Sequence, residues 1–85
     1  MNLAHLKYFI TLADQEHFAN TARSLGIARS TLSLAISRLE DDLRAPLFTK
    51  NGSNFTLSPY GKEFYRYASL ALKNIETGAD KVHAM

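Results

Sequence analysis

Gly26 follows Ala22 by four residues, and the pair sits between two apolar patterns of helical period. That spacing constrains the fold more than any other feature of the chain. Two short helices can cross steeply only if a small residue stands in the first where they touch, and Ala22 supplies it. The corner four positions on needs a residue that tolerates positive φ, which Gly26 does. Apolar residues are needed on both sides of the corner and at two points of the second helix. Leu25, Ile27, Leu32 and Ala35 meet that need, so Phe18 to Ser37 reads as a helix-turn-helix. A helix-turn-helix used for protein contacts and a plain helical hairpin satisfy the same spacing.

The flanking sequence extends this unit into a mainly α fold. Leu3, Leu6, Phe9, Ile10 and Ala13 share one helical face, which predicts a first helix from Leu3 to about Asp14. A second helix covers Phe18 to Leu25. A third runs from about Arg29 to Leu43, with Leu32, Ala35, Ile36, Leu39 and Leu43 on the core stripe and Ser30, Ser33, Leu34 and Ser37 opposite. Pro46 halts the helical pattern. Leu47 to Lys50 and Asn54 to Leu57 then flank Asn51-Gly52, the dipeptide suited to a tight hairpin turn. This predicts a two-stranded wing, which must pack Leu47, Phe48, Phe55 or Leu57 on the helices to be stable. Ser58-Pro59 opens a last helix, from Pro59 to about Val82. Phe64, Ala68, Ala71, Ile75, Gly78 and Val82 follow the alternating steps of a helix-pairing seam, which predicts a homodimer. The expected division is a winged helix-turn-helix over 1–58 and a linker or dimerisation helix over 59–85.

Composition narrows the class. Eighty-five residues at 46 % hydrophobic and 21 % charged fit one folded domain with a thin core. No cysteine is present, and His5, His17 and His83 lack the close pairing of a zinc site, so neither metal nor cofactor is expected. The N-terminus has no signal-peptide pattern, and no run approaches the roughly 18 apolar residues of a membrane span. Those absences predict a soluble, cytoplasmic chain. No nucleophile–base pair or phosphate-cradling glycine loop points to an enzyme. Net charge is only +2, but its placement is uneven. From His17 to Leu39 the charged residues are Arg23, Arg29 and Arg38; from Leu43 to Lys62 they are Arg44, Lys50 and Lys62. Neither stretch holds an acid, a pattern that fits an anionic partner and ordinary solvated arginines equally until the residues are placed on a fold.

Phe18 through Lys50, with Ala22, Leu25, Leu32-Ser33, Ile36, Arg38-Leu39-Glu40, Leu43 and Leu47-Phe48, resembles the DNA-binding domain of LysR-type transcriptional regulators. Leu57-Ser58-Pro59-Tyr60-Gly61 is similar to that family's entry to its linker helix. The resemblance implies a three-helix winged domain whose third helix reads the major groove, and antiparallel linker helices in a dimer on an interrupted inverted repeat. It also implies a larger effector-binding domain after Met85, so any small-molecule effector acts outside this chain. Some positions depart from the family pattern. Ala28 stands where a capping Ser or Thr is usual, His17 replaces a capping serine, Arg44 a glycine and Lys50 an arginine.

The family's readout positions fall on Arg29, Ser30, Thr31, Ser33 and Leu34, with Arg38 further along the helix and Lys50 near the wing. Arg29 can donate two parallel hydrogen bonds to guanine, or bind a phosphate. Ser30, Thr31 and Ser33 can donate to phosphates or cap the backbone locally. Arg38 and Lys50 suit phosphate contacts that fix register. Leu34, where the family often has a polar or basic residue, can meet the C5-methyl of a thymine, or contact the wing or a neighbouring chain. Two functions follow: sequence-specific double-stranded DNA binding, or a winged-helix protein-interaction module that binds no DNA. A duplex shift at low salt separates them.

Overall fold

Helix boundaries in this chain are set by capping side chains and by left-handed residues. The computed structural model, which describes residues 1–85, has the order α1 (Leu3–Gln15), α2 (Phe18–Leu25), α3 (Arg29–Leu43), β1 (Phe48–Asn51), β2 (Asn54–Leu57) and α4 (Pro59–His83). Asn2 Oδ1, His17 Nδ1 and Ser58 Oγ accept N–H groups in the first turns of α1, α2 and α4. Ala28 offers no such bond, so α3 alone begins uncapped by a side chain. Glu16, Gly26 and Arg44 end the first three helices at φ of 59°, 69° and 55°. Gly26 takes that conformation freely, whereas Glu16 and Arg44 are strained by about 1 kcal/mol each.

The three N-terminal helices converge on Phe9, Leu12, Ala22, Leu32, Ile36 and Leu39, all buried. Ala22 lies at the helix crossing, as the spacing to Gly26 requires, and Thr21 beside it is buried with its hydroxyl donating to the His17 carbonyl at 2.7 Å. Two expectations for α1 change. Leu3 is exposed along with the rest of residues 1–4, because the first turn lies outside the packed region. Leu12, one turn beyond Phe9 on the same face, takes a fully buried place instead.

β1 and β2 pair antiparallel in the register Phe48↔Leu57 through Asn51↔Asn54. The first strand begins at Phe48, not Leu47, because Leu47 turns into the core and is 1 % exposed. A lone hairpin of this size is marginal, and three contacts hold it here. Phe55 stacks at 4.9 Å on Phe18 of α2. The Phe55 N–H donates to the Glu16 carbonyl at 2.9 Å, and Phe48 meets Phe9 edge-on at 5.5 Å.

α4 enters the same core. Gly61 is buried so tightly that a Cβ there would collide with the Leu47 carbonyl, and Ala68 is 3 % exposed among the core residues. Phe64 packs on Phe9 at 5.3 Å. The boundary expected at residue 58 thus crosses a shared core, and α4 leaves it only after Leu72. The departing helix stretches the molecule to 47 Å by 26 Å by 18 Å. No helix is long and apolar enough to cross a membrane.

One polar tie joins the ends of this core: the Tyr65 hydroxyl of α4 donates to Asp14 Oδ1 of α1 at 2.6 Å. That hydrogen bond, aided by burial and by the Asp14 charge, raises the Tyr65 pKa above its ordinary 10.0. The folded chain therefore holds the phenolic proton more tightly than the unfolded chain does. Its contribution is complete below pH 10 and is lost as pH rises through the raised value. Tyr65→Phe is expected to cost about 1 kcal/mol at neutral pH. In denaturant melts, the gap between wild type and variant should close above pH 10. A gap that persists there would exclude the Tyr65–Asp14 bond as its source.

Candidate nucleic-acid interface

α3 is seated by Leu32, Ala35, Ile36 and Leu39, which are buried, and this fixes what the helix turns outward. Ser30, Thr31, Ser33, Leu34, Ser37 and Arg38 are all exposed. Leu34 is 52 % exposed, an apolar side chain on an otherwise polar surface. Arg29 stands at the first position of the helix, directly after the Gly26 corner and uncapped Ala28.

Between α3 and the wing runs an open groove of about 610 Å³, lined by His17, Arg29, Ser33, Ser37, Lys50 and Ser53 among others. The wing brings Lys50 there from β1, with its Nζ 5.8 Å from the centre of the Phe55 ring. Glu40 is the acid on the lining, and its Oε2 accepts the Leu47 N–H at 2.7 Å. Arg29, Arg38 and Lys50 form no ion pair; the molecule's two pairs are Met1–Asp42 and Arg66–Glu63. These three cations are therefore unpaired, with the Glu40 carboxylate sharing the groove.

Of the expected site residues, Arg29, Ser33 and Lys50 meet on the groove. Ser30 and Leu34 occupy the outer crest of α3, while Thr31 and Arg38 lie on its flank away from the groove lining. His17, Ser37 and Ser53 also line the groove and were not among the expected contacts. Helical spacing had already set Ser37 beside Ser33. Only the pairing of the wing with the α1–α2 corner brings in His17, and nothing local signals it.

α4 carries a second surface. Tyr60, Tyr67, Ala71, Ile75 and Val82 are exposed along one stripe of the helix. At its start Leu43, Tyr60, Phe64 and Tyr67 frame an apolar groove of about 270 Å³. The seam expected through Phe64, Ala68, Ala71, Ile75 and Val82 needs one correction. Ala68 points into the chain's own core and cannot meet a partner, since its place on the helix faces α1. Tyr67 takes that step on the exposed stripe, and Phe64 is shared between Phe9 and the outer groove. No group of three or more His, Cys, Asp or Glu side chains is placed to hold a metal.

The same architecture recurs in solved DNA-binding domains. The BenM domain in complex with benA site 1 DNA superposes with a TM-score of 0.91 at 31 % identity, over 99 % of this chain and 98 % of that one. The CbnR domain in its DNA complex gives a TM-score of 0.91 at 26 % identity, over 99 % and 97 %. In sequence, the HTH-type transcriptional regulator YybE of Bacillus subtilis is 36 % identical over all 85 residues, which make up 29 % of its own length. The activator IlvY of Salmonella typhimurium is 42 % identical over 72 residues, or 85 % of this chain and 24 % of that protein. The chain thus spans under a third of the length of these two relatives. The family model for bacterial regulatory helix-turn-helix proteins of the lysR family matches residues 3–62, from the first residue of α1 through the wing into the first turn of α4. With all three helices, the wing and the α4 entry covered by that match, the chain belongs to the LysR family.

Proposed function

We propose that this chain binds double-stranded DNA as a homodimer, as the DNA-reading part of a bacterial transcription regulator working in the cytoplasm. The observation that carries this reading is that Arg29, Arg38 and Lys50, none of them in an ion pair, surround an outward-facing α3. An exposed helix flanked by unpaired cations fits a major groove lined by phosphates. Arg29, Arg38 and Lys50 then fix register on the backbone, with Arg29 also within the chemistry of guanine. Ser30, Thr31 and Ser33 supply further donors. That the BenM and CbnR domains were solved with DNA supports the same use of this fold. A module for protein contacts alone has no need of three free cations around α3.

The exposed stripe of Tyr60, Tyr67, Ala71, Ile75 and Val82 gives the dimer contact, and it extends beyond the core far enough to pair with a second α4. Two copies would place two α3 helices on an interrupted inverted repeat.

Three outcomes are expected. Arg29, Arg38 and Lys50 from two subunits bring six cations to the duplex, so log K should fall with log salt at a slope of about −5. A salt-independent interaction in the titration would exclude phosphate contacts by these three cations as its basis. Ile75→Asp places an unpaired carboxylate in the stripe and should turn a sedimenting dimer into monomer; an unchanged dimer would mean that α4 pairs elsewhere. Leu34→Ala should weaken operator binding by about 1 kcal/mol while leaving binding to unrelated duplex unaltered. Replacing the contacted thymine with uracil should reproduce that loss in wild type and add nothing in the variant. Additive losses would mean that Leu34 and the methyl group do not touch.

A further inference from the structure

His17 has one hydrogen bond that the fold explains and one donor left over. Its Nδ1 accepts the Asn20 N–H at 3.2 Å and caps α2. A neutral imidazole that accepts through Nδ1 carries its proton on Nε2. No acceptor in the chain takes that Nε2–H, since the other bonds at His17 are made by its carbonyl, which accepts the Thr21 hydroxyl and the Thr21 N–H. The backbone behind the ring is held from two sides. His17 bridges to Asn54 of β2, and the neighbouring Glu16 carbonyl accepts the Phe55 N–H. The side chain itself lines the α3–wing groove together with Arg29 and Lys50. Three parts of the chain therefore bring two cations, the Glu40 carboxylate and one imidazole ring held by its Nδ1 to a single groove.

We propose that His17 is a phosphate ligand, its Nε2–H donating to a nonbridging oxygen of the DNA backbone, with the capping bond to Asn20 aiming the ring. This rests on the reading of the chain as a DNA-binding domain. A phosphodiester oxygen only accepts hydrogen bonds and carries the charge that Arg29 and Lys50 attract. The acid on the groove wall, Glu40, is engaged by the Leu47 N–H. Capping alone does not call for an imidazole, because a serine oxygen satisfies the same N–H. What the ring adds is length beyond the cap, ending in a donor. That donor differs in kind from Lys50. A neutral group displaces no condensed cation, so it strengthens binding at every salt concentration without changing the salt slope.

The test compares wild type with His17→Ser, His17→Ala and Lys50→Gln in the 85-residue chain. Each is titrated with a mixed-sequence duplex of about 31 base pairs, three helical turns, across a salt series. Thermal unfolding is followed in parallel. Serine keeps the capping oxygen, but its hydroxyl ends one ring's length short of the groove. His17→Ser should melt with wild type, bind about tenfold more weakly at every salt concentration, and keep the wild-type slope. Lys50→Gln should flatten the slope by about 2 for the two subunits. His17→Ala should lose the same affinity as the serine variant and melt lower as well. If His17→Ser binds as tightly as wild type while wild type keeps its steep slope, His17 is a cap only and the proposal fails with DNA binding intact. A flatter slope in His17→Ser would overturn the neutral-donor role. Failure of wild type to bind the duplex at low salt would overturn both the His17 assignment and the DNA-binding function.

Discussion

Leu47 is the residue on which the arrangement of α3, the wing and α4 depends. Its side chain is buried, and both of its backbone polar groups are engaged by different elements. The N–H donates to Glu40 Oε2 at 2.7 Å, which ties the wing entry to the last turns of α3. The carbonyl accepts the Ser58 N–H at 2.9 Å, which ties it to the cap of α4. Gly61 then lies against that same carbonyl, so closely that no larger residue fits. A buried N–H or C=O without a partner costs about 1–3 kcal/mol, so these bonds leave little freedom at the junction. The position of the wing relative to α3, and the direction in which α4 departs, are set at this one residue.

The consequence for the site is rigidity where charge must be placed. Lys50 lies three residues from Leu47 in a strand whose partner is held to α2 by Phe55 and Phe18. Arg29 lies at the other side of the groove, seated by the Gly26 corner and the buried Leu32. Neither cation depends on an ion pair for its place, so their charge stays available while the scaffold holds their backbones. The local strain is kept at the helix ends: Arg44 holds a left-handed conformation after α3, and Ala28 leaves its start without a side-chain cap. α3 is held by its buried face more than by its termini, which suits a helix whose N-terminal residues face outward.

Much of this was legible in the sequence, because each signal was local. The Ala22–Gly26 spacing and the Ser58-Pro59 start each depend on residues within one turn of one another, and each lies where the reading put it. The hairpin turn falls one residue later than the Asn51-Gly52 expected, at Gly52-Ser53, because Asn51 pairs with Asn54 and only Gly52 takes a positive φ. The outward face of α3 followed from helical period alone, so Ser30, Ser33, Leu34 and Ser37 could be named together. What could not be read depended on long-range contacts. Leu47 looks like a strand residue until Glu40 and Ser58 are seen to claim its backbone. Ala68 fits a pairing seam by spacing, and only the docking of α4 on α1 turns it inward. His17 reads as a cap, which it is. Its presence on the groove depends on Asn54 and Phe55, some forty residues later in the chain.

That same docking of α4 links the two surfaces of the molecule. The part of α4 that packs in the core, through Gly61, Phe64 and Ala68, is continuous with the part that carries Ala71, Ile75 and Val82 into solvent. A helix fixed at one end by Gly61 and by the Tyr65–Asp14 bond has little freedom to swing at the other. If the exposed stripe pairs with a second copy, the spacing and angle between two α3 helices are therefore decided inside each subunit as much as at the contact between them. The Leu47 junction relates α3 to α4, and the stripe relates α4 to its partner. Half-site separation is a geometric property of a symmetric dimer, and in this chain it would be transmitted by packing around Gly61. A change that loosens this packing alters the presentation of Arg29, Lys50 and Leu34 to a two-part site, although none of the three is among the residues packed closest to Gly61.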